Sequence, residues 1–350
     1  MLNSIHNAKG ALGIVKNKIE NTVLVTGGAG FIGSNVVAEL ARKKYKVVVV
    51  DNFSNSRKKY IKSVQKAFPQ LIDLIEMDIL NKKKLEAVFA SYQIDVVVHL
   101  AGKKYVQESF EKQDEYYLNN ITATQILLDV MKNQNVKKLV FSSSITVYGN
   151  CKKFPISETK KRNPLSPYAK QKVEGEKLIK AWSKSQGNSA IVLRLSNPVG
   201  ANVDMMLGED SITKRQGLVP YLIENGIQNK DLVLNGNDHK TRDGTTIRDY
   251  VHVLDVASAF VQAVETGLNK SYEICNIGTG GEGFTVLEIL NQVEKCLKKK
   301  MNYSFGPKKK GDAAIIVSNV NKAKEILKHE SKRSLKCMIE SQYKFQKSKN

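Results

Sequence analysis

No apolar run in this 350-residue chain approaches the roughly 20 residues that a membrane span requires. The first twenty residues do not read as a secretory signal either. Their apolar stretch, Ala11–Val15, is too short, and lysines follow it. Cysteine is sparse. Cys151, Cys275, Cys296 and Cys337 stand far apart with no paired spacing, which argues against a zinc site or a disulfide framework and suits a reducing, cytoplasmic compartment. The five histidines show no ligand spacing, so no metal is expected. His99 closes an apolar run and reads as a packed strand residue. Acidic residues are outnumbered, 34 against 55 basic ones, giving a formal net charge of +21. That excess suggests nucleic acid, but the lysines lie in short clusters along the whole chain. The aromatic interleaving that stacks bases is missing. A lysine-rich solvated surface, able to draw in an anionic substrate, is the preferred reading.

What is present is alternation. The segments Thr22–Thr26, Lys46–Asp51 ("KVVVVD"), 71–79, 95–102, 137–144 and 190–197 are apolar runs of strand length. Unbroken valines are what a strand covered on both faces needs. Helical patterns separate most of them, notably 31–42, 115–133 and 167–185. This predicts an α/β fold with a doubly wound parallel sheet over residues 21–197, after a flexible extension at 1–20. Beyond residue 198 the alternation becomes irregular. Residues 198–332, including "DLVLNG" at 231, "RDYVHVLDVASAFVQAV" at 248, "SYEICNIG" at 271 and a helix from Thr285, read as a smaller α+β region, with room for some segments to return to the sheet. Residues 333–350 read as a polar, frayed tail.

Two motifs carry chemistry. "VLVTGGAGFIGSN" places Gly28, Gly30 and Gly33 between a strand and a helix, with Gly27 just before. Glycines there permit a tight turn and let backbone N–H groups approach a pyrophosphate. Asp51 ends the next strand and is suited to the ribose hydroxyls of NAD, while it would repel a 2′-phosphate. In "SPYAKQK", Tyr168 and Lys172 share one helix face. A phenol titrates near pH 10, and a neighbouring ammonium lowers that value, making a useful base. The serines of "FSSSITVYG" end the preceding strand, where a hydroxyl can share the proton path.

With "DNFSNS", "HLAGKKYVQES", "YYLNN", "NPVGA", "RDYVHVLDVA" and "NIGTG" following in order, residues 21–330 resemble the extended short-chain dehydrogenase/reductases, and within them the UDP-hexose 4-epimerases. Dehydratases of the group carry Asp-Glu where Ile145-Thr146 follow Ser144 here. The resemblance implies an isomerase that interconverts UDP-glucose and UDP-galactose with NAD. Tyr168 would be its base, with Ser144 and Lys172. It places the cofactor on Phe31, Ile32, Asp51, Asn52, Phe53, Ser54, Asn55, Ser56, Asp78, Ile79, Leu100, Ala101, Gly102, Lys104, Asn119 and Ser196. It places the UDP-sugar on Lys104, Asn197, Gly217, Arg248, Lys309 and Asp312, and implies a homodimer. Departures stand at Leu195 and Ser196, where an aromatic pair is usual, and at Lys309, Gly217 and Asn235. These imply looser cofactor or substrate binding. Ile316, of intermediate bulk, leaves N-acetylated sugars open. UDP-pentoses, UDP-uronates and a weakened NAD- and UDP-sugar-binding protein remain as alternatives.

Overall fold

The computed structural model describes residues 21–185, 187–210, 212, 217–266 and 272–349. The expectations for residues 1–20 lie outside the described residues. Six strands come first: β1 (Thr22–Thr26), β2 (Lys46–Asp51), β3 (Ile72–Glu76), β4 (Val96–His99), β5 (Lys138–Ser144) and β6 (Ser189–Leu195). Helices α1 (Phe31–Arg42), α2 (Lys58–Ala67), α3 (Lys82–Ser91), α4 (Glu108–Glu111), α5 (Gln113–Tyr117), α6 (Ala123–Asn133) and α7 (Pro167–Ser183) connect them. The second half contains β7 (Asn197–Val199), α8 (Leu218–Ile227), β8 (Leu232–Asn235), β9 (Ile247–Arg248), β10 (Tyr250–His252), α9 (Val253–Glu265) and β11 (Tyr272–Ile277). It ends with β12 (Phe284–Thr285), α10 (Val286–Leu297), β13 (Tyr303–Gly306), β14 (Ile315–Ile316), α11 (Asn321–Leu327) and α12 (Leu335–Lys347).

The main sheet has seven parallel strands in the order β11-β6-β5-β4-β1-β2-β3. Its order reverses between β1 and β4, the point at which open α/β sheets hold ligands at their strand ends. Val47 to Val50 of β2 are fully buried, as their unbroken apolar run requires. Two apolar clusters cover the sheet, one on each face. One joins α1 and α9, the other α3 and α6. A third cluster builds the smaller lobe from α8, α10 and α12 over β8 and β10.

The return to the sheet expected of some of 198–332 is made by 272–277, with 253–265 packed on its face. There α9 packs beside α1, and β11 pairs in parallel with β6, burying Cys275 and Ile277 completely. The helix expected over 115–133 is broken by a π-type turn at Leu118–Thr122. The tail is not frayed. Ser334 caps α12 by accepting from the Cys337 N–H at 3.3 Å. Met338, Ile339, Gln342 and Phe345 then form a buried stripe at helical spacing. The polar composition of that segment hid the stripe.

Candidate active site

The phosphate cradle follows from backbone sterics. Gly27 has φ +69°, and a Cβ there would lie 2.6 Å from the Ala101 nitrogen. A Cβ on Gly33 would lie 2.2 Å from the Gly27 carbonyl oxygen and 2.7 Å from the Gly28 Cα. Only glycine lets these backbones meet. Helix α1 begins with extended Gly30 and carries no side-chain cap, so its first N–H groups remain for an anion. Asp51, at the end of β2, accepts from the Ala29 N–H at 3.0 Å, the Phe53 N–H at 2.9 Å and the Ser56 hydroxyl at 2.9 Å. Those bonds fix the carboxylate beside the cradle with acceptor capacity to spare for ribose hydroxyls. Asp78 takes the Asn52 amide at 2.8 Å and the Leu80 N–H at 2.9 Å. The residues therefore fit a dinucleotide.

Across the switch point, Leu100–Lys104 leave the end of β4. The side chain of Asn120 holds this stretch, accepting from the Lys103 N–H at 2.8 Å and donating to its carbonyl at 3.2 Å. The π-type turn aims Asn120 there, while Asn119 donates back to the Glu115 carbonyl. The sequence reading selected Asn119 for the cofactor and did not single out Asn120, which holds the loop. Two adjacent asparagines give no signal that separates them.

Tyr168 sits at the start of α7, which Ser166 caps and Pro167 opens. Its backbone N–H donates to Ser109 at 3.2 Å. Its hydroxyl faces Ser144, a lowering influence on its pKa. Ser144 accepts from the Thr146 N–H and hydroxyl, at 3.3 and 2.9 Å, leaving its own proton to offer the phenol oxygen. Burial raises the Tyr168 pKa, and the Ser144 bond and the Lys104 charge pull it partly back. Lys172 donates to the Ser142 carbonyl at 2.8 Å, and its nitrogen lies 5.8 Å from the Tyr168 ring centre. Burial pushes Lys172 down to about 8, against the opposing charge of Glu176. Lys104 reaches Glu209 at 2.7 Å and lies 5.8 Å above the Phe31 ring.

Behind the pair lies a charged knot that the sequence reading also missed. Fully buried Glu176, one turn after Lys172, accepts from Arg194 Nε at 2.8 Å and Nη2 at 2.6 Å, from Arg162 at 3.0 Å and from Ser143 at 2.6 Å. It ties α7 to β5 and β6.

The substrate-side expectations map onto the second lobe. Arg248 Nη2 donates to Asp312 at 2.5 Å, which brings these two together. Asn197 begins β7 and pairs with Tyr250 of β10. Gly217 is the N-cap of α8, and its N–H approaches Glu209 at 3.4 Å. The Lys309 carbonyl accepts from the Asp312 N–H at 3.3 Å. Where an aromatic pair is usual, Leu195 is buried in the core. The Ser196 hydroxyl bonds Asp249 at 3.1 Å and Ser318 at 2.9 Å. Ile316 is buried with Ile145, Val147 and Tyr148. His99 lies buried between Thr26 at 2.7 Å and Thr124 at 3.0 Å.

A model of the NAD dependent epimerase/dehydratase family matches residues 23–278. The chain belongs to that family. Relatives within the family include the UDP-glucose 4-epimerase of Bacillus subtilis, 38% identical over 329 residues, with 93% of this chain and 97% of that one covered. The human UDP-glucose 4-epimerase is 38% identical over 339 residues, covering 93% and 96%. A crystal structure of UDP-glucose 4-epimerase from Bifidobacterium longum in complex with NAD+ and UDP superposes with a TM-score of 0.90. It is 36% identical, covering 94% of this chain and 98% of that one. Among the described residues no helix is long and apolar enough to cross a membrane, and no group of three or more His, Cys, Asp or Glu is placed to hold a metal.

Proposed function

We propose that this protein is an isomerase that interconverts UDP-glucose and UDP-galactose with bound NAD. One observation carries the reading: Lys172 bonds the Ser142 carbonyl at 2.8 Å and stands 5.8 Å from the Tyr168 ring, which brings the tyrosine–lysine pair of α7 to the serine-rich end of β5 in the sheet that carries the glycine cradle. The family match and the likeness to UDP-glucose 4-epimerases support it. Glycines Gly27, Gly28, Gly30 and Gly33 would cradle the pyrophosphate, and Asp51 the ribose. When bound, NAD would supply the reversible hydride chemistry at the sugar C4. Tyr168 takes the C4 hydroxyl proton as hydride leaves and gives it back on return. Ser144 orients the phenol oxygen and relays that proton. Lys172 and Lys104 stabilise the phenolate. Arg248, paired with Asp312, and Lys309 would hold the diphosphate and uridine end. Asn197 and Gly217 would line the same cavity.

The enzyme forms a homodimer in this reading. Tyr117 and Leu118, adjacent and each 45% exposed on the cofactor lobe, support a covered face there. The four free cysteines support a cytoplasmic setting.

The test is direct. Nucleotide released from the purified protein is identified by mass spectrometry, and the protein is incubated with UDP-galactose without added NAD. UDP-glucose should form. Tyr168→Phe should lower kcat by about 10²–10⁴-fold, and full activity in that variant rejects the mechanism. A panel of UDP-N-acetylhexoses, UDP-pentoses and UDP-uronates measures the breadth of the sugar pocket. NAD and UDP-sugar binding with no conversion of any of them would reject the enzyme reading.

A further inference from the structure

Gln171 is the residue before Lys172 on α7, and it is buried, 6% exposed. Its Oε1 accepts from Asn120 Nδ2 at 3.0 Å. Asn120 is equally buried, at 6%. The bond therefore joins the helix that carries Tyr168 to the π-type turn at Leu118–Thr122. On its other side the Asn120 carboxamide grips the loop after β4. Its Oδ1 accepts from the Lys103 N–H at 2.8 Å, and its Nδ2 donates to the Lys103 carbonyl at 3.2 Å. Gly102, with φ +151°, lies directly against it, since a Cβ there would come 2.7 Å from Asn120 Oδ1. One residue earlier the same loop touches the phosphate cradle. A Cβ on Gly27 would meet the Ala101 nitrogen at 2.6 Å and its Cα at 2.8 Å. The backbone of 101–103 is wedged between the cradle and the carboxamide.

We propose that Gln171 is a positioning residue: by accepting from Asn120 it fixes that carboxamide and so holds Gly102 and Lys103 against the nucleotide cradle. This rests on the proposed function insofar as Leu100–Lys104 contact the cofactor.

A carboxamide offers one acceptor and two donor hydrogens, and turning it over exchanges the two ends. In the observed orientation every end is matched. Oδ1 meets an N–H, and Nδ2 meets two oxygens, those of Lys103 and Gln171. Turned over, Oδ1 would face both oxygens and Nδ2 would face the Lys103 N–H. Mismatched or unpaired polar atoms are costly in a buried place. Without the Gln171 oxygen, one Nδ2 hydrogen is stranded. Asn120 then finds it a partner only by leaving the Lys103 backbone, and the loop comes off the cradle in a fraction of the molecules. The Lys103 ammonium keeps its own tether, Glu115 at 2.6 Å, so the loop should loosen without being released. Gln171 acts on the cofactor loop through Asn120.

The test uses the full-length, NAD-loaded protein and its Gln171→Met variant, which keeps the length of the side chain and removes the acceptor. Two readouts are taken: hydrogen exchange of the 100–104 amides, followed by mass spectrometry, and the dissociation rate of NAD, chased with labelled NAD. Both should rise by about 3–10-fold, the share of molecules in which the loop has left its place. Gln171→Glu keeps an oxygen toward Asn120 and should restore most of the loss. In an Asn120→Ala background, Gln171→Met should add little. Unchanged exchange and NAD dissociation in Gln171→Met overturn the proposal. So does a loss in Gln171→Glu as large as in Gln171→Met, or a full further loss in the Asn120→Ala background, which would mean a route that bypasses Asn120. If Gln171→Met fails to fold, Gln171→Ala decides by the same readouts. A wild type that converts no UDP-galactose, with a loop that still loosens in Gln171→Met, overturns the functional reading and leaves the positioning role standing.

Discussion

Removing Arg194 and Glu176 together should damage this protein less than the sum of removing each alone. Both side chains are essentially buried, at 2% and 0% exposure. The Arg194→Met variant leaves Glu176 ionised with only Arg162 and Ser143 as partners. Breaking a buried pair from one side costs about 3–5 kcal/mol. Arg162, 32% exposed, keeps a partial hold, which places the expected loss near about 3 kcal/mol. Arg194 also donates to the Tyr148 hydroxyl at 2.7 Å, so some of that loss is a second bond. In Glu176→Gln combined with Arg194→Met no buried charge is stranded, and Arg162 can turn to water. The double variant should recover about 1–2 kcal/mol relative to the sum of the single ones. Urea unfolding of the apoprotein, followed by tryptophan fluorescence and by circular dichroism, measures all four corners of the cycle. Because the knot sits one turn behind Lys172, the single variants should also lose turnover. Additive losses, with no coupling beyond about 0.5 kcal/mol, would refute the view that this pair acts as a unit fixing α7 on the sheet.

Gly33→Ala should fold yet purify without nucleotide, because its Cβ meets the Gly27 carbonyl oxygen at 2.2 Å; nucleotide content per protomer measures it, and full occupancy contradicts the cradle. Acid should destabilise the fold through two buried histidines. Burial, with Lys172, lowers His99 to about 3, and burial, with Arg333 against Asp255, lowers His252 to about 4. The unfolded chain takes up these protons first as pH falls, so stability present above about pH 6.5 drains away toward those values. For His99 alone the full span is on the order of 5 kcal/mol; urea midpoints between pH 7 and 4 should fall, less steeply in His99→Asn, and equal slopes would be the contrary result. Phe345→Ala should cost about 3–5 kcal/mol by unhooking α12, and a urea midpoint unchanged from wild type would remove α12 from the core.

The parts of this molecule visible in its sequence are those where a local pattern has one physical explanation. "KVVVVD" has the run of a strand covered on both faces, and β2 is that strand. The glycines before α1 and the Tyr168–Lys172 spacing are local too. What stayed hidden depends on contacts between distant positions. Glu209 meets Lys104 across 105 residues, and nothing around "GED" announces that meeting. The destination of β11 was equally silent, since "YEICNI" reads the same in a small lobe as beside β6. In α12 only three of the six buried positions, Met338, Ile339 and Phe345, are apolar, so composition concealed the face that packs.

The path of the chain through the sheet has a practical corollary. After β6 the polypeptide leaves for β7, returns with α9 and β11, and departs again for β12 and α10. Neither lobe is therefore a contiguous piece that an expression boundary could isolate. Cutting after residue 197 would strip β6 of its outer neighbour and expose the α1 face that α9 covers. Such a fragment should aggregate rather than survive as a free nucleotide-binding module, and the two lobes should melt in one step.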